Sequence, residues 1–291
     1  TATTNDAYGI SSSTTTITTP SYGSFTFGSG TGGASGAYDE EVPQVYEQVS
    51  DGKDTVSNKV GDFMDNNSVM YTTPTLEMMG ASITAHLGYA PQAGDTTVSD
   101  GGQQTYSAAV GSGKEAGITI SYDALKVGVY GAERERTVPQ TAAATGMYEH
   151  DEFNGSWYAK YSMGPVSIGY SEFFFDAGVT SAVTSTTAAK TQRGTNAGGI
   201  YTGDQMSIAF NVNDNMSISY TTSDETYDTQ DDAKTAVTTD DDVTESIDAI
   251  QIAYSMGGMS IKAYNMEVTN PEQDDDAADQ SITEIALGFA F

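Results

Sequence analysis

Met206-Ser-Ile-Ala-Phe-Asn-Val-Asn-Asp-Asn-Met-Ser-Ile-Ser-Tyr220 is the stretch on which the fold turns. Met206, Ile208, Phe210 and Val212 alternate with Ser207, Ala209 and Asn211. After Asn213-Asp214-Asn215, the residues Met216, Ile218 and Tyr220 alternate with Ser217 and Ser219. Neighbouring side chains on a strand point to opposite faces, so these residues read as two strands joined by a tight turn. Each strand has one greasy face and one polar face.

The same hairpin recurs along the chain. Ala116, Ile118, Ile120 and Tyr122 lead through a turn into Leu125, Val127 and Val129. Trp157, Ala159, Tyr161 and Met163 lead through Gly164-Pro165 into Val166, Ile168 and Tyr170. Ile250, Ile252, Tyr254 and Met256 lead through Gly257-Gly258 into Met259, Ile261 and Ala263, and Ile285, Leu287, Phe289 and Phe291 close the chain. Between the hairpins lie long polar stretches, roughly 134–152, 176–202, 224–243 and 269–280. A soluble β-sandwich also alternates. Here, however, the polar parity is mostly Gly, Ser, Thr and Ala, as suits the wall of a wet lumen. Short turns alternating with long loops are the habit of outer-membrane barrels. Tyr122, Trp157, Tyr161, Tyr170, Tyr220 and Tyr254 sit on the apolar parity, as an aromatic girdle requires. The expected fold is all-β, a transmembrane antiparallel β-barrel.

Composition agrees. Of 291 residues, 11 are Lys or Arg and 40 are Asp or Glu, for a net charge of -29. So acidic a chain offers no basic patch for nucleic acid. No apolar run is long enough for a membrane helix. With no Cys, disulfide frameworks and thiolate chemistry are excluded. The opening, Thr1-Ala-Thr-Thr-Asn-Asp, has neither the basic nor the apolar region of a signal peptide, so a mature, trimmed or incomplete start is expected.

Ile285-Ala-Leu-Gly-Phe-Ala-Phe291, an alternating strand ending on an aromatic residue, resembles the C-terminal signal of outer-membrane barrels, with Ile285, Leu287, Phe289 and Phe291 carrying it. Ser68-Val-Met-Tyr-Thr-Thr-Pro-Thr-Leu with Gly80-Ala-Ser-Ile-Thr-Ala-His-Leu-Gly-Tyr-Ala90, and Tyr22-Gly-Ser-Phe-Thr-Phe-Gly28, are similar to segments of general diffusion porins from alphaproteobacteria. Elsewhere the resemblance is one of pattern. Thirteen strands are read, at 6–18, 22–30, 67–73, 80–90, 113–122, 125–134, 153–163, 165–175, 204–212, 215–223, 244–256, 258–268 and 280–291. Eleven follow the segment 31–66, as eleven follow the constriction loop of the family, but only two precede it. The resemblance therefore implies a sixteen-stranded barrel, chain 1–291 being one barrel domain without its first three strands.

It also implies that 31–66 folds into the pore as a constricting loop. Asp39, Glu40, Glu41, Glu47 and Asp51 would form its acidic side, and Gly28, Gly30, Gly32, Gly33 and Gly36 would permit the sharp turn inward. Lys126, Arg134, Arg136, Lys160 and Lys262 are the candidates for a basic wall opposite. An ordinary solvated loop is the plainer alternative for 31–66. In the outer loops, Asp240, Asp241 and Asp242, and Asp274, Asp275 and Asp276, could bind Ca²⁺ weakly, although a solvated acidic face explains them as well. No other cofactor is expected.

No nucleophile elbow occurs, and His86 and His150 are the only two histidines, so no enzyme is expected. The resemblance implies a Gram-negative outer-membrane porin, a homotrimer among lipid and lipopolysaccharide, passing small hydrophilic solutes and ions. The charge suggests a preference for cations. A substrate-selective channel and a non-channel acidic surface or adhesive protein are the alternatives.

Overall fold

Alternation of this kind leaves a strand's backbone groups to be paired by its neighbours, and the chain does so in order. The computed structural model describes residues 13–29, 33–50, 60, 64, 68–91, 93, 110–136, 150–176, 178, 200–228, 242–274 and 276–290. They contain β1 (Ser13–Thr19), β2 (Gly23–Ser29), β3 (Ser68–Thr72), β4 (Leu76–Met78), β5 (Ala81–Ala90), β6 (Val110–Tyr122) and β7 (Leu125–Arg136). Then follow β8 (Glu152–Met163), β9 (Val166–Asp176), β10 (Ile200–Asn213), β11 (Met216–Asp228), β12 (Val243–Met256), β13 (Met259–Thr269) and β14 (Gln280–Phe289). All pair antiparallel in one sheet, each beside its neighbour in sequence, except that β3 pairs with β5 and the short β4 pairs only with β5. Among the described residues no ladder joins β1 to β14, and there is no α-helix.

Two-residue turns follow β4, β6, β8, β10 and β12. Left-handed backbone makes four of them possible: Met79 and Gly80 have φ of 54° and 84°, Asp123 has 52°, Gly164 has 58° and Gly257 has 60°. Such conformations match the twist of the flanking strands. Long connections lie at the opposite end. Two features differ from the reading of the sequence. β4 lies where a turn was expected. β10 starts at Ile200 rather than 204, and β11 runs on to Asp228 rather than 223. Beyond Met206 and Tyr220 both faces become polar, as with Asp204 outside and Gln205 inside, so the alternation that marks a strand disappears although the ladder continues.

The sheet is inside out relative to a soluble protein. Ile250, Ile285, Leu287 and Phe289 are 60–67 % exposed, whereas Gln205, Glu225 and Gln251 on the other face are 0–1 % exposed. Burying long polar side chains while exposing aliphatic ones is costly in water and favourable in a bilayer, where only a barrel satisfies the backbone. The apolar band has an upper edge. Outward positions change from Ile250 to Asp248 on β12, and from Met206 to Asp204 on β10. There the aromatic tips are satisfied: Trp157 Nε1 and the Tyr170 hydroxyl donate to Glu172, each at 2.8 Å, and the Tyr220 hydroxyl donates to Asp248 at 2.5 Å. Ile252→Arg, inside the band, is expected to cost about 2–4 kcal/mol of stability in lipid, against roughly 0–1 for Thr226→Arg beyond it. Urea unfolding in vesicles of each variant measures both.

Candidate functional site

The inner face is where the polar parity converges, and residues 33–50 lie against it. Their contacts progress across the wall strand by strand. Ala34 N–H donates to Glu115 Oε1 on β6 at 2.8 Å. Ser156 on β8 donates to the Tyr38 carbonyl at 3.4 Å, and Ser207 on β10 to the Pro43 carbonyl at 2.5 Å. Val45 N–H donates to Ser219 Oγ on β11 at 3.3 Å. Gln251 on β12 makes two bonds: its Oε1 accepts from Tyr46 N–H at 2.9 Å, and its Nε2 donates to the Glu47 carbonyl at 2.6 Å. The Tyr46 hydroxyl reaches Glu284 on β14, whose other oxygen accepts from Tyr264 at 3.3 Å. The bond to Glu284 raises the Tyr46 phenol far above its ordinary range, so it remains a donor.

Apolar contacts hold the same segment. Tyr38 is buried among Tyr130, Tyr158 and Phe175 and stacks on Tyr130 with centroids 5.1 Å apart. Val49 is buried among Ile247, Ala249, Tyr264 and Met266. Close approach depends on missing side chains in the wall. A Cβ on Gly117 would lie 2.4 Å from the Tyr38 hydroxyl, and one on Gly169 would lie 2.4 Å from Pro43 Cδ.

The residues singled out from sequence have separate fates. Glu41 Oε2 meets Lys126 Nζ at 3.6 Å and is in direct contact with Lys160 Nζ. The two lysines are directly opposite each other on β7 and β8, and each ammonium lies over the Tyr158 ring, at 5.5 and 5.6 Å. Glu40 turns away from water: it is buried, with Gln205 Nε2 donating to it at 2.8 Å and Ser50 also bound to it. Asp39 accepts from Val60 N–H at 3.2 Å. Lys262 Nζ sits 5.4 Å over the Tyr46 ring. Arg134 is buried in an ion pair with Glu152, with Nε donating at 2.6 Å, far from Glu41 along β7. Asp51, Asp240, Asp241, Asp275, Phe291 and the Arg136 side chain lie outside the described residues. Asp274 makes an internal turn, accepting from Asp276 N–H at 3.0 Å. Among the described residues no group of three acidic or His side chains is placed to hold a metal. Ile285, Leu287 and Phe289 point outward on β14.

Gln205, Gln251, Glu115 and Glu284, which hold the segment, were not foreseen. Their signal was a long polar side chain interrupting the Gly/Ser/Thr/Ala parity of a strand.

No family model matches the sequence, and no curated protein matches it. The fold does find relatives. A porin structure refined at 1.8 Å is similar over 96 % of this chain and 80 % of its own, with a TM-score of 0.56 at 14 % identity. The outer-membrane channel DcaP of Acinetobacter baumannii is similar over 90 % of this chain and 70 % of its own, with a TM-score of 0.56 at 12 % identity. A loop-deletion mutant of OmpT, an outer-membrane protein of Vibrio cholerae, is similar over 96 % and 79 %, with a TM-score of 0.53 at 14 % identity. The fold is thus that of outer-membrane porins and channels, and the apolar outer belt suits the outer membrane of a Gram-negative bacterium.

Proposed function

We propose that the chain is a general diffusion porin of the alphaproteobacterial type, letting small hydrophilic solutes and ions cross the outer membrane down their gradients, with a preference for cations. The observation that carries this reading is the segment 33–50, bonded in succession to the inner faces of β6, β8, β10, β11, β12 and β14. A segment laid across a barrel in this way narrows the passage without closing it, and its Glu41, set between two lysines, brings charge to the narrowing. The rest of 31–66 belongs to the same loop in this reading. The excess of acidic residues favours cations at the pore mouth. The working unit is a homotrimer bedded in lipid and lipopolysaccharide, and Phe291 completes the assembly signal with Ile285, Leu287 and Phe289.

Planar bilayers test the function. Purified protein should produce stepwise currents that rise linearly with solute conductivity, with a reversal potential of cationic sign across a KCl gradient. Saturation of current by one sugar or organic acid would instead indicate a selective channel, and absence of steps would exclude a pore. Cross-linking in mild detergent should give a trimer that collapses to monomer on heating.

A further inference from the structure

Glu40 stands one residue before the carboxylate held by the lysines, and its backbone is left-handed, with φ of 44°. Its side chain is 5 % exposed. The carboxylate accepts hydrogen bonds from Ser50 and from Gln205 Nε2, and among the described residues no cation pairs with it. A carboxylate offers about four acceptor sites, and burying its charge without a counter-charge is costly. Gln205 is 0 % exposed, and among the described residues the Oε1 of the amide that touches Glu40 has no hydrogen-bond partner. Directly opposite Gln205 on β9 is Ser171, also buried. One buried negative charge and one orphaned amide oxygen thus lie between the segment and the wall, with a buried serine on the neighbouring strand.

We propose that Glu40 and Gln205 Oε1, beside the Ser171 hydroxyl, seat a monovalent cation of sodium size. Oxygen ligands suit a hard cation, and a single carboxylate among neutral oxygens balances one unit of charge. A calcium site usually gathers more carboxylates. The cation completes the buried side of the segment and fixes the backbone next to Glu41.

The test compares hydrogen exchange of residues 38–50 in sodium chloride and in N-methylglucamine chloride of equal ionic strength, the organic cation being too large for the seat. With sodium at about ten times its dissociation constant, protection of this segment should rise about tenfold. Glu40→Gln and Gln205→Leu should each abolish the difference. Crystals of the unaltered protein soaked in a thallous salt should show an anomalous peak at coordinating distance from Glu40. Equal protection in both salts, or a sodium effect that survives Gln205→Leu, overturns the proposal. So does a Glu40 site without anomalous signal, which would mean a water there. Should Glu40→Gln fail to fold, the soak and Gln205→Leu decide.

Discussion

Glu41→Gln is expected to lower the cation-to-anion permeability ratio about tenfold, more than any other single neutralisation in the segment. Lys126 and Lys160 face each other across β7 and β8, and the Glu41 carboxylate offsets them. Without it, two ammonium groups remain at the proposed narrowing. One unit charge ~5.5 Å from a passing ion, with an effective dielectric constant of ~80, attracts a cation by about 0.75 kcal/mol and repels an anion by as much, so the ratio changes by about 1.5 kcal/mol, roughly a factor of ten. Glu40→Gln alters a buried group and should move the ratio far less. Removing Asp242 should also matter little, since charges beyond the ~8 Å screening length of physiological salt are hidden from the narrowing. Reversal potentials of the three variants across one salt gradient order the effects. A ratio indifferent to Glu41 would mean that ions do not pass beside it.

Gly169→Leu is expected to dislodge the segment from β9. A Cβ there comes 2.4 Å from Pro43 Cδ and 3.2 Å from Val42 Cα, atoms of a ring and a backbone that cannot step aside. The adjoining bond from Ser207 to the Pro43 carbonyl would be lost with the displacement. Overpacking of this kind costs about 1–3 kcal/mol. Pushed toward the middle of the lumen, the segment should reduce single-channel conductance by about half and make the open current noisy. Gly36→Ala, where a Cβ meets nothing within 4 Å, serves as the control and should change neither conductance nor stability.

The sequence announces what the bilayer enforces and is quieter about the rest. Where lipid demands an apolar outer face, as along Met206–Val212 or Ile250–Met256, alternation marks the strand, and the expected hairpins are present. Where the outer face has turned polar, as at Ile200–Gln205 or Ser223–Asp228, the same ladder carries no apolar-to-polar alternation and the strand ends were read short. Leu76–Met78 is three residues long and follows Pro74, too short for any period to show. Adjacent carboxylates are the hardest to tell apart. Glu40 and Glu41 look alike in sequence, yet the left-handed turn at Glu40 buries one and presents the other to two lysines. Lys126 and Lys160 stand out because a charge on a small-residue parity has nowhere to point but inward. Glu41 was one of five acidic candidates to face them, and which of the five meets the lysines was not legible, because the contact spans 119 residues of chain.

That separation bears on the order of folding. The segment 33–50 is made early, but its anchors come late: Glu115 is 81 residues after Ala34, Gln205 is 165 after Glu40, and Glu284 is 238 after Tyr46. Such high contact order makes docking slow relative to local hairpin closure, because a long loop must be closed before any contact forms. The hairpins β6–β7, β8–β9, β10–β11 and β12–β13, joined by two-residue turns, can form first and register with one another. On that order the segment settles onto a wall already built, its many late anchors engaging together rather than one by one.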